Sequence, residues 1–461
     1  MSIPETVIAA LTAAVGPEHV RSDAAARLAY GTDALKRGTA ADFVVLPADT
    51  AQVAAVVRIC AAHAVPMVPR GAGTGYTGGA VPTRGGVVIS LERLDRILAI
   101  DEANLVAVVQ PHVITGDLQD AVERAGLFYP PDPASLRRST IGGNVAECAG
   151  GPRAFKYGTT KRYVLGLEAV LPTGEIVRTG GKTVKNVVGY DLTQLLVGSE
   201  GTLAIITEII LRLVPKPPAA ATIRATFPSV AAAADAVTNI VRLRVVPAAL
   251  ELIDGDSLEA VATNLGDWSL APQGTAALLL IDVDGAVEAI AAEASLVEEA
   301  CTAAGATEVL RAGDAGEREE LWRVRRELSL SLKMVASLKF NHDVVVPKGR
   351  VPELFALIEQ LKRDYRLRIP SFGHAGDGNI HVNLMVDAAD HEAIARAHAA
   401  ERVLFEGVVA LEGSISGEHG IGFSKAPFLP IELSADEIAL MKRVKAAFDP
   451  AGLLNPGKIF P

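Results

Sequence analysis

The most informative segment of the chain is Pro69-Arg-Gly-Ala-Gly-Thr-Gly-Tyr-Thr-Gly-Gly79, whose last nine residues include five glycines. Glycine adopts positive φ without steric cost, so this backbone can turn several amide N–H groups toward one point. A concave group of amides is suited to a phosphate or pyrophosphate. A flexible surface loop is the alternative interpretation, since many glycine-rich segments have no other role.

The flanks of this stretch favour the binding interpretation. Residues 50–63 predict a helix with Thr50 as its N-cap, and residues 65–68 and 86–91 predict two apolar strands. A Rossmann fingerprint would open a helix directly after its glycines, and a P-loop would require Gly-Lys-Ser/Thr. Neither pattern is present, so the stretch predicts a different kind of nucleotide-binding loop between two strands.

Composition limits the class of protein. The chain has 461 residues, of which 49% are hydrophobic and 21% charged, as expected for a globular protein of two or three domains. The net charge of −10 argues against a nucleic-acid partner. We expect no signal peptide, because Met1-Ser-Ile-Pro-Glu5 lacks a positively charged region and no long apolar region follows it. We expect no membrane-spanning helix, because no run of eighteen apolar residues occurs. Three scattered cysteines predict neither disulfides nor an iron–sulfur cluster, so the cytoplasm is the expected compartment.

A second unusual stretch lies in residues 129–151, where Tyr129-Pro-Pro-Asp-Pro-Ala-Ser135 precedes Ser139-Thr-Ile-Gly-Gly-Asn-Val-Ala146. Prolines favour an extended path, and glycine pairs allow the backbone to approach a ligand closely. A pair of turns between strands is the alternative. The stiff segment Pro215-Lys-Pro-Pro218 predicts a domain boundary, and an α+β pattern of strands and helices follows it.

A histidine-rich hairpin carries the clearest chemistry. In Phe372-Gly-His-Ala-Gly-Asp-Gly-Asn-Ile-His-Val-Asn383, a tight Asp-Gly-Asn turn separates His374 from His381. Because a hairpin pairs its two strands, both imidazoles could meet at one Zn, Fe, Co or Mn ion. Glu418, beside His419 in a glycine-flanked turn, is the best candidate for a carboxylate ligand. Solvated or helix-capping histidines are the alternative, and we assign His342 to the surface.

Together these motifs resemble the FAD-linked D-2-hydroxyacid dehydrogenases of the vanillyl-alcohol oxidase superfamily. This family includes the glycolate oxidase D subunit, D-lactate dehydrogenase and D-2-hydroxyglutarate dehydrogenase. The motifs that carry the resemblance occur in family order across nearly the whole chain: Pro69-Arg-Gly-Ala-Gly-Thr-Gly75, Pro130-Pro-Asp-Pro133, Ile141-Gly-Gly-Asn144, Gly198-Ser-Glu-Gly-Thr202, Gly373-His-Ala-Gly-Asp-Gly-Asn379, Ser416-Gly-Glu-His-Gly420 and Asn455-Pro-Gly-Lys458.

The resemblance implies an α+β protein with a split FAD-binding domain and an α+β cap domain. The expected divisions are residues 1–218 for the FAD-binding domain, 219–413 for the substrate cap and 414–461 for a segment that returns to the FAD-binding domain. It also implies FAD contacts at Arg70, Gly71, Ala72, Gly73, Thr74, Gly75, Thr77, Gly78, Gly79, Pro131, Asp132, Ser135, Ser139, Gly142, Gly143, Asn144, Ala146, Glu200, Gly201, Ile205, Ile206 and Asn455. Because the first loop has no histidine to which flavin could be attached, we expect non-covalent FAD.

The resemblance also implies roles in the cap. His374, His381 and Glu418 match the family's metal ligands, with zinc expected, and His419 matches the catalytic base. Substrate contacts are expected from a further set: Arg325, Lys339, Asn341 and Asn383. From the residues alone, the arginines at 323, 325 and 326 could equally form a solvated helix face.

The implied reaction is oxidation of a D-2-hydroxy acid to the 2-oxo acid, with hydride transfer to flavin N5. D-lactate or glycolate is favoured, and D-2-hydroxyglutarate is the alternative. The electron acceptor would be a quinone, a cytochrome or an electron-transfer flavoprotein rather than oxygen. The chain could instead be the flavin subunit of a multi-chain glycolate oxidase with an iron–sulfur partner, through which it could lie peripherally at the inner membrane. A homodimer is expected, and a non-enzymatic metal-binding protein is a third alternative.

Overall fold

The computed structural model of this protein describes residues 3–461. Its helices, in chain order, are α1 (Glu5–Val15), α2 (Ala24–Tyr30), α3 (Thr50–Ala62), α4 (Thr115–Arg124), α5 (Ile141–Glu147), α6 (Ala154–Tyr157), α7 (Leu192–Leu196), α8 (Val230–Arg242), α9 (Gly255–Leu265), α10 (Val287–Ala303), α11 (Ala315–Val335), α12 (Val351–Tyr365), α13 (His391–Ala410), α14 (Leu429–Glu432) and α15 (Ala435–Phe448). None of the helices in this part of the chain combines the length and apolar character that a membrane crossing requires.

The strands alternate with these helices along the whole chain. In chain order they are β1 (Val20–Arg21), β2 (Phe43–Val45), β3 (Met67–Arg70), β4 (Val87–Ser90), β5 (Ile97–Asp101), β6 (Val106–Val109), β7 (Leu127–Phe128), β8 (Val164–Val170), β9 (Ile176–Gly180), β10 (Ile205–Arg212), β11 (Val214–Pro215), β12 (Ala219–Phe227), β13 (Ala249–Asp254), β14 (Ala277–Gly285), β15 (Glu308–Arg311), β16 (Leu338–Val345), β17 (Ser371–His374) and β18 (Asn379–Val386).

The chain divides into two compact units, and the first of them contains both glycine-rich stretches. It comprises the chain up to Gly150, then Thr159–Lys216 and Glu418–Pro461. Its sheets have the strand orders β1-β2-β4-β3, β5-β6-β10-β8-β9 and β11-β7. Strands β2, β4 and β3 are parallel, whereas the five-stranded sheet is antiparallel throughout.

Helix α3 shows how the first unit builds its core. Its apolar residues Val53, Val56, Val57 and Cys60 are fully buried and belong to one hydrophobic cluster with residues of β3 and β4. The expected Thr50 cap is wrong. Asp49 is the N-cap and accepts the Gln52 N–H at 2.8 Å, while Thr50 Oγ1 donates to Glu168. Asp49 and Thr50 are both residue types that cap helices. The contact between Thr50 and Glu168 joins residues 118 positions apart, so neighbouring residues do not predict it.

The C-terminal tail belongs to the first unit despite its distance in sequence. Leu454 forms a parallel bridge with Met67, at the start of the strand that leads into the glycine loop. Leu454 is fully buried in the same cluster as α3. The tail therefore packs directly beside β3.

The second unit is built on one antiparallel sheet. It comprises Pro217–Gly417 together with Gly151–Gly158, and its strand order is β15-β12-β14-β13-β17-β18-β16. Helices α9 and α11 contribute to its main hydrophobic cluster through residues such as Val261 and Leu328. The division into functional domains near residues 218 and 413 stays a prediction.

The short segment Gly151–Gly158 groups with the second unit because its side chains contact strand β14. Lys156 Nζ lies 2.5 Å from Asp284 Oδ1, and the Tyr157 hydroxyl donates to Asp284 Oδ2 at 2.7 Å. No local sequence pattern predicts this contact, because the two residues are more than 120 positions apart.

Three elements differ from the expectations. The apolar face through Val7, Ile8, Leu11 and Val15 predicts helix over residues 1–40, but of that range the structure describes residues 3–40, where the helices are α1 and α2 with β1 between them. Helix α5 lies in the second glycine-rich stretch, for which no helix is predicted, and Thr140 caps it by accepting the Gly143 N–H. Helix α9, which is not predicted from the sequence, follows β13 directly, and Asp254 caps it by accepting the Ser257 N–H.

Candidate functional site

The glycine loop after β3 has the backbone that its sequence predicts. Gly73 has a φ of +67°, and a Cβ added to Gly71 would lie 2.5 Å from Thr140 Oγ1. Within residues 3–461, the amide N–H groups of Ala72, Gly73, Thr74 and Gly75 have no hydrogen-bond acceptor. A run of unpaired amides on a glycine loop fits the negatively charged pyrophosphate of a dinucleotide.

Arg70 supports this loop through the protein backbone. Its Nη1 donates to the carbonyl oxygens of Tyr30, at 3.1 Å, and Thr32, at 2.7 Å. Burial lowers the pKa of Arg70, and the nearby Asp33 opposes that shift. The guanidinium therefore holds the loop in place and adds positive charge beneath it.

A cavity of about 550 Å³ adjoins the start of the loop within the first unit. Its lining includes Gly71, Ala72, His112, Arg137 and Arg138. The two arginines and the open amides make this cavity suitable for part of an anionic cofactor.

The second glycine-rich stretch folds into α5, which packs against α4. Asn144 Nδ2 donates to Thr115 Oγ1 at 2.7 Å, and the Ser139 hydroxyl lies 3.1 Å from the same oxygen. A Cβ on Gly142 would lie 2.5 Å from Pro111 Cβ, so this glycine permits close packing. The buried Asn144 and Ser139 side chains thus contact Thr115.

Asn455 connects three segments of the first unit. It is buried, and its Nδ2 donates to Gly79 O at 2.9 Å and to Glu200 O at 2.8 Å. Asn455 also has a φ of +43°, a conformation that asparagine tolerates better than most residues. The tail therefore fixes the end of the glycine loop against the Gly198–Thr202 turn.

Glu200 directs its carboxylate toward the C-terminal segment. Its two oxygens accept the N–H groups of Ile421, at 2.7 Å, and Gly422, at 2.6 Å. Burial raises the pKa of Glu200, while these two hydrogen bonds oppose the shift. The side chain orders the residues that follow His419.

His419 lies in this ordered segment. Its carbonyl oxygen accepts the Thr77 hydroxyl at 3.0 Å, and its ring centroid lies 5.4 Å from that of Tyr76. The segment thus holds the candidate base beside the glycine loop. The other residues expected to contact the cofactor also lie in the first unit: Thr74, Gly78, Pro131, Asp132, Ser135, Gly143, Ala146, Gly201, Ile205 and Ile206.

In the second unit, strand register places the two hairpin histidines on one face. Strands β17 and β18 pair Phe372 with His381 and His374 with Asn379. Opposite residues of an antiparallel pair share a face, as do residues two apart, so His374 and His381 are diagonal neighbours. Their ring centroids are 5.4 Å apart, and one nitrogen of each lies within 4.8 Å of the other. This spacing fits two ligands of a single divalent metal.

Glu251 of β13 lies opposite His374 in the ladder and is fully buried. Its Oε1 lies 2.5 Å from His374 Nδ1, and its Oε2 accepts the Arg325 Nε–H. Burial opposes ionisation of Glu251, but the charges of His374 and Arg325 prevail and lower its pKa to about 2. The ionised carboxylate accepts from Nδ1, so Nε2 is the nitrogen of His374 that would bind a metal.

The expected substrate residues occupy the same region of the second unit. Arg325 of α11 is buried, and its guanidinium lies 5.0 Å from the centroid of the Phe372 ring. Asn341 and Asn383 are opposite each other on β16 and β18, with an Nδ2–Oδ1 distance of 2.6 Å. Lys339 is two residues before Asn341, so it shares that face, and burial lowers its pKa to about 8.

Glu418 begins the last segment of the first unit, directly after Gly417 of the second. The Gly417 N–H donates to Asp343 Oδ2 at 2.9 Å, and Asp343 is the ladder partner of His381. The role of Glu418 as the third metal ligand stays a prediction.

Sequence reasoning missed Glu251 and Asp343, both fully buried acids. Each could have been noticed as a charged residue within an apolar strand pattern. The surface assignment of His342 was wrong. It is buried, and its Nε2 lies 3.1 Å from Glu401 Oε1, because a carboxylate of α13 gives it a partner inside the protein.

Comparisons with known proteins identify two domain families in the chain. The chain matches the FAD binding domain over residues 41–180 and the C-terminal domain of FAD linked oxidases over residues 216–459. It is 43% identical to the glycolate oxidase subunit GlcD of Bacillus subtilis (strain 168), covering 96% of this chain and 94% of that one. It is 38% identical to a D-lactate dehydrogenase of Anaerostipes hadrus, covering 89% and 87%.

Solved structures show the same fold at low sequence identity. A p-cresol methylhydroxylase with bound substrate has a TM-score of 0.83 at 18% identity, covering 99% of this chain and 96% of that chain. A 4-ethylphenol oxidase from Gulosibacter chungangensis has a TM-score of 0.80 at 20% identity, covering 99% and 97%. The expected α+β fold of the vanillyl-alcohol oxidase type is confirmed.

The fold and the glycine loop define a flavin-dependent oxidoreductase with FAD as its cofactor. The chain belongs to the FAD-linked oxidase family, in the group that contains glycolate oxidase D subunits and D-lactate dehydrogenases.

Proposed function

We propose that this protein oxidises a D-2-hydroxy acid to the 2-oxo acid, using FAD and a divalent metal, zinc being favoured. The main support for this proposal is the face of the seven-stranded sheet that carries His374 and His381. One ring nitrogen of His374 lies within 4.8 Å of one ring nitrogen of His381. Arg325 reaches the same face through Glu251. Two imidazoles and a cation beside them suit a substrate with a hydroxyl next to a carboxylate.

The two bound groups would supply the redox and Lewis-acid chemistry. FAD, when bound, supplies a two-electron acceptor for the hydride on C2 of the substrate. A divalent cation, when bound, polarises the 2-hydroxyl and lowers its pKa. His374, His381 and Glu418 would hold that cation, and the residues described around the glycine loop would hold FAD.

The protein's own side chains would bind the acid and move the proton. Arg325 uses Nε for Glu251, so its two terminal nitrogens can bind the substrate carboxylate as a bidentate pair. The imidazole of His419 would accept the hydroxyl proton as the C2–H bond breaks. The Asn341–Asn383 amide pair would line the substrate site and exclude water from it.

D-lactate and glycolate are the favoured substrates. The relatives named glycolate oxidase subunit and D-lactate dehydrogenase, at 43% and 38% identity, support this choice. Lys339 could pair with a second carboxylate, which would favour D-2-hydroxyglutarate. Electrons would then pass to a quinone, a cytochrome or an electron-transfer flavoprotein.

A substrate panel tests the proposal directly. The purified protein is mixed anaerobically with D-lactate, glycolate, D-2-hydroxyglutarate and L-lactate, and loss of the visible flavin absorbance is followed. We expect rapid bleaching by at least one of the first three acids and none by L-lactate. No bleaching by any 2-hydroxy acid would refute the proposed activity.

A second candidate is the flavin subunit of a multi-chain oxidase. An exposed segment favours it, because four of its apolar side chains are 80–95% exposed: Val184, Val187, Val188 and Tyr190. Contiguous exposed apolar residues often mark a protein interface. Cys60 and Cys301 are buried, so an iron–sulfur cluster of such an assembly would belong to a partner.

The two candidate functions differ in whether a second polypeptide copurifies with this chain. Tagged protein purified from its own cells would carry a stoichiometric second polypeptide containing iron and acid-labile sulfide. Val187→Asp would remove that polypeptide while leaving dye-linked oxidation by the flavin chain intact. Activity as a homogeneous flavoprotein without iron would reject this second candidate.

A further inference from the structure

The carboxylate of Glu251 contacts both the proposed metal site and the proposed substrate site of the second unit. Glu251 has no exposed surface, and its partners are the proposed metal ligand His374 and the proposed substrate residue Arg325. The three residues come from β13, β17 and α11. No other described residue contacts both His374 and Arg325 through one side chain by hydrogen bonds.

Stability alone does not account for this arrangement. Burying a carboxylate costs free energy that its ion partners recover only with good geometry, so apolar replacements of buried ion pairs are often neutral or stabilising. The sequence around Glu251 is Ala249-Leu-Glu-Leu-Ile253, in which every residue is buried. An apolar residue would suit this position if packing were the only requirement.

The hydrogen bonds give Glu251 a specific effect on each partner. Contact with Nδ1 fixes the ring of His374 and keeps the proton on that nitrogen, so a metal would be bound through Nε2. Contact with Nε fixes the guanidinium of Arg325 over Phe372, and the terminal nitrogens stay available for a carboxylate. Each oxygen of Glu251 thus serves one partner.

We propose that Glu251 is a positioning residue that sets both the metal-ligand orientation of His374 and the carboxylate-binding orientation of Arg325. The inference deepens the proposed function and rests on it. Because Glu251 acts through two other side chains, its loss would weaken metal binding and substrate binding together, without altering the proton transfer at His419.

The test compares Glu251→Gln with Glu259→Gln in the FAD-loaded protein. Glu259 provides a matched control, since its exposed carboxylate pairs with Arg368 at 2.9 Å in the same unit. Zinc affinity is measured by competition with a chromophoric chelator, and KM and kcat are measured with the best acid from the substrate panel. Thermal unfolding and flavin content report whether each variant folds.

We expect Glu251→Gln to weaken zinc binding about 10–100-fold, the range for removing a partner of a metal-bound histidine. KM should rise by a similar factor, since glutamine can accept from only one of the two partners. Glu259→Gln should change neither. If Glu251→Gln fails to fold, the double variant Glu251→Gln/Arg325→Met removes the unpaired cation, and the zinc measurement is made on it.

Unchanged zinc affinity in a folded Glu251 variant would overturn the inference. The proposed function fails differently, because wild-type protein would then bind no zinc or His381→Ala would retain it. Weaker zinc binding with an unchanged KM would also overturn the joint role, since it would leave Arg325 independent of Glu251.

Discussion

His374 and His381 lie diagonally across the β17–β18 hairpin, with ring planes at 86° and centroids 5.4 Å apart. The register that pairs Phe372 with His381 produces this arrangement. Because a slip by one residue would move one histidine to the opposite face, the four-residue turn at 375–378 determines whether the pair can share a metal.

Replacing His381 with alanine should remove the metal and the activity together. Two protein ligands bind a divalent ion far more weakly than three, so metal content by mass spectrometry should fall to background. His391→Ala is the matched control, because His391 is exposed at the start of α13. Metal retained by the His381 variant would show that the proposed ligand set is wrong.

His419→Ala should slow flavin reduction by about 10²–10⁴-fold, the range for losing a general base. The change removes the proton acceptor without touching the hairpin histidines, so metal content should stay at the wild-type level. Anaerobic stopped-flow spectroscopy measures the rate of the reductive half-reaction. A rate within a few-fold of wild type would assign the base to another residue.

Asn455→Asp should destabilise the first unit and loosen FAD. The aspartate cannot donate to Gly79 O and Glu200 O, and leaving buried acceptors unpaired costs about 1–3 kcal/mol. The free energy of unfolding is measured in urea, and retained flavin is measured after gel filtration. Asn186→Asp is the control. The exposed Asn186 side chain accepts a hydrogen bond from the Val188 N–H, and an aspartate can accept the same bond. Equal stability of the two variants would contradict this role of Asn455.

Binding of a dicarboxylate should depend on the protonation of Lys339. Burial, with a smaller contribution from Lys333, lowers the pKa of Lys339 to about 8. The ammonium is charged below this pH, so KM for D-2-hydroxyglutarate should rise as pH increases through 8. KM for D-lactate should show a smaller rise, and Lys339→Met should abolish the difference. Identical pH profiles for the two acids in the wild type would exclude Lys339 as a second anchor.

FAD should separate completely from the unfolded protein. The glycine loop of residues 69–79 contains no histidine for covalent attachment. After acid precipitation, all flavin should therefore be found in the supernatant by absorbance. Flavin that sediments with the polypeptide after washing would show a covalent bond.

The glycine loop and the histidine hairpin could both be predicted from short-range patterns in the sequence. The spacing of five glycines predicted a loop between two strands, and the Asp-Gly-Asn turn predicted the histidine hairpin. These features depend on neighbouring residues, so short-range propensities and turn chemistry are sufficient to predict them.

The contacts between distant side chains depend on how the whole chain packs. Glu251 contacts Arg325 across 74 positions, and Asn455 reaches Gly79 across 376. Strand order and register place these residues together, and both follow from packing of the whole chain. A buried charge needs a partner, but the sequence alone does not say which one the fold will supply.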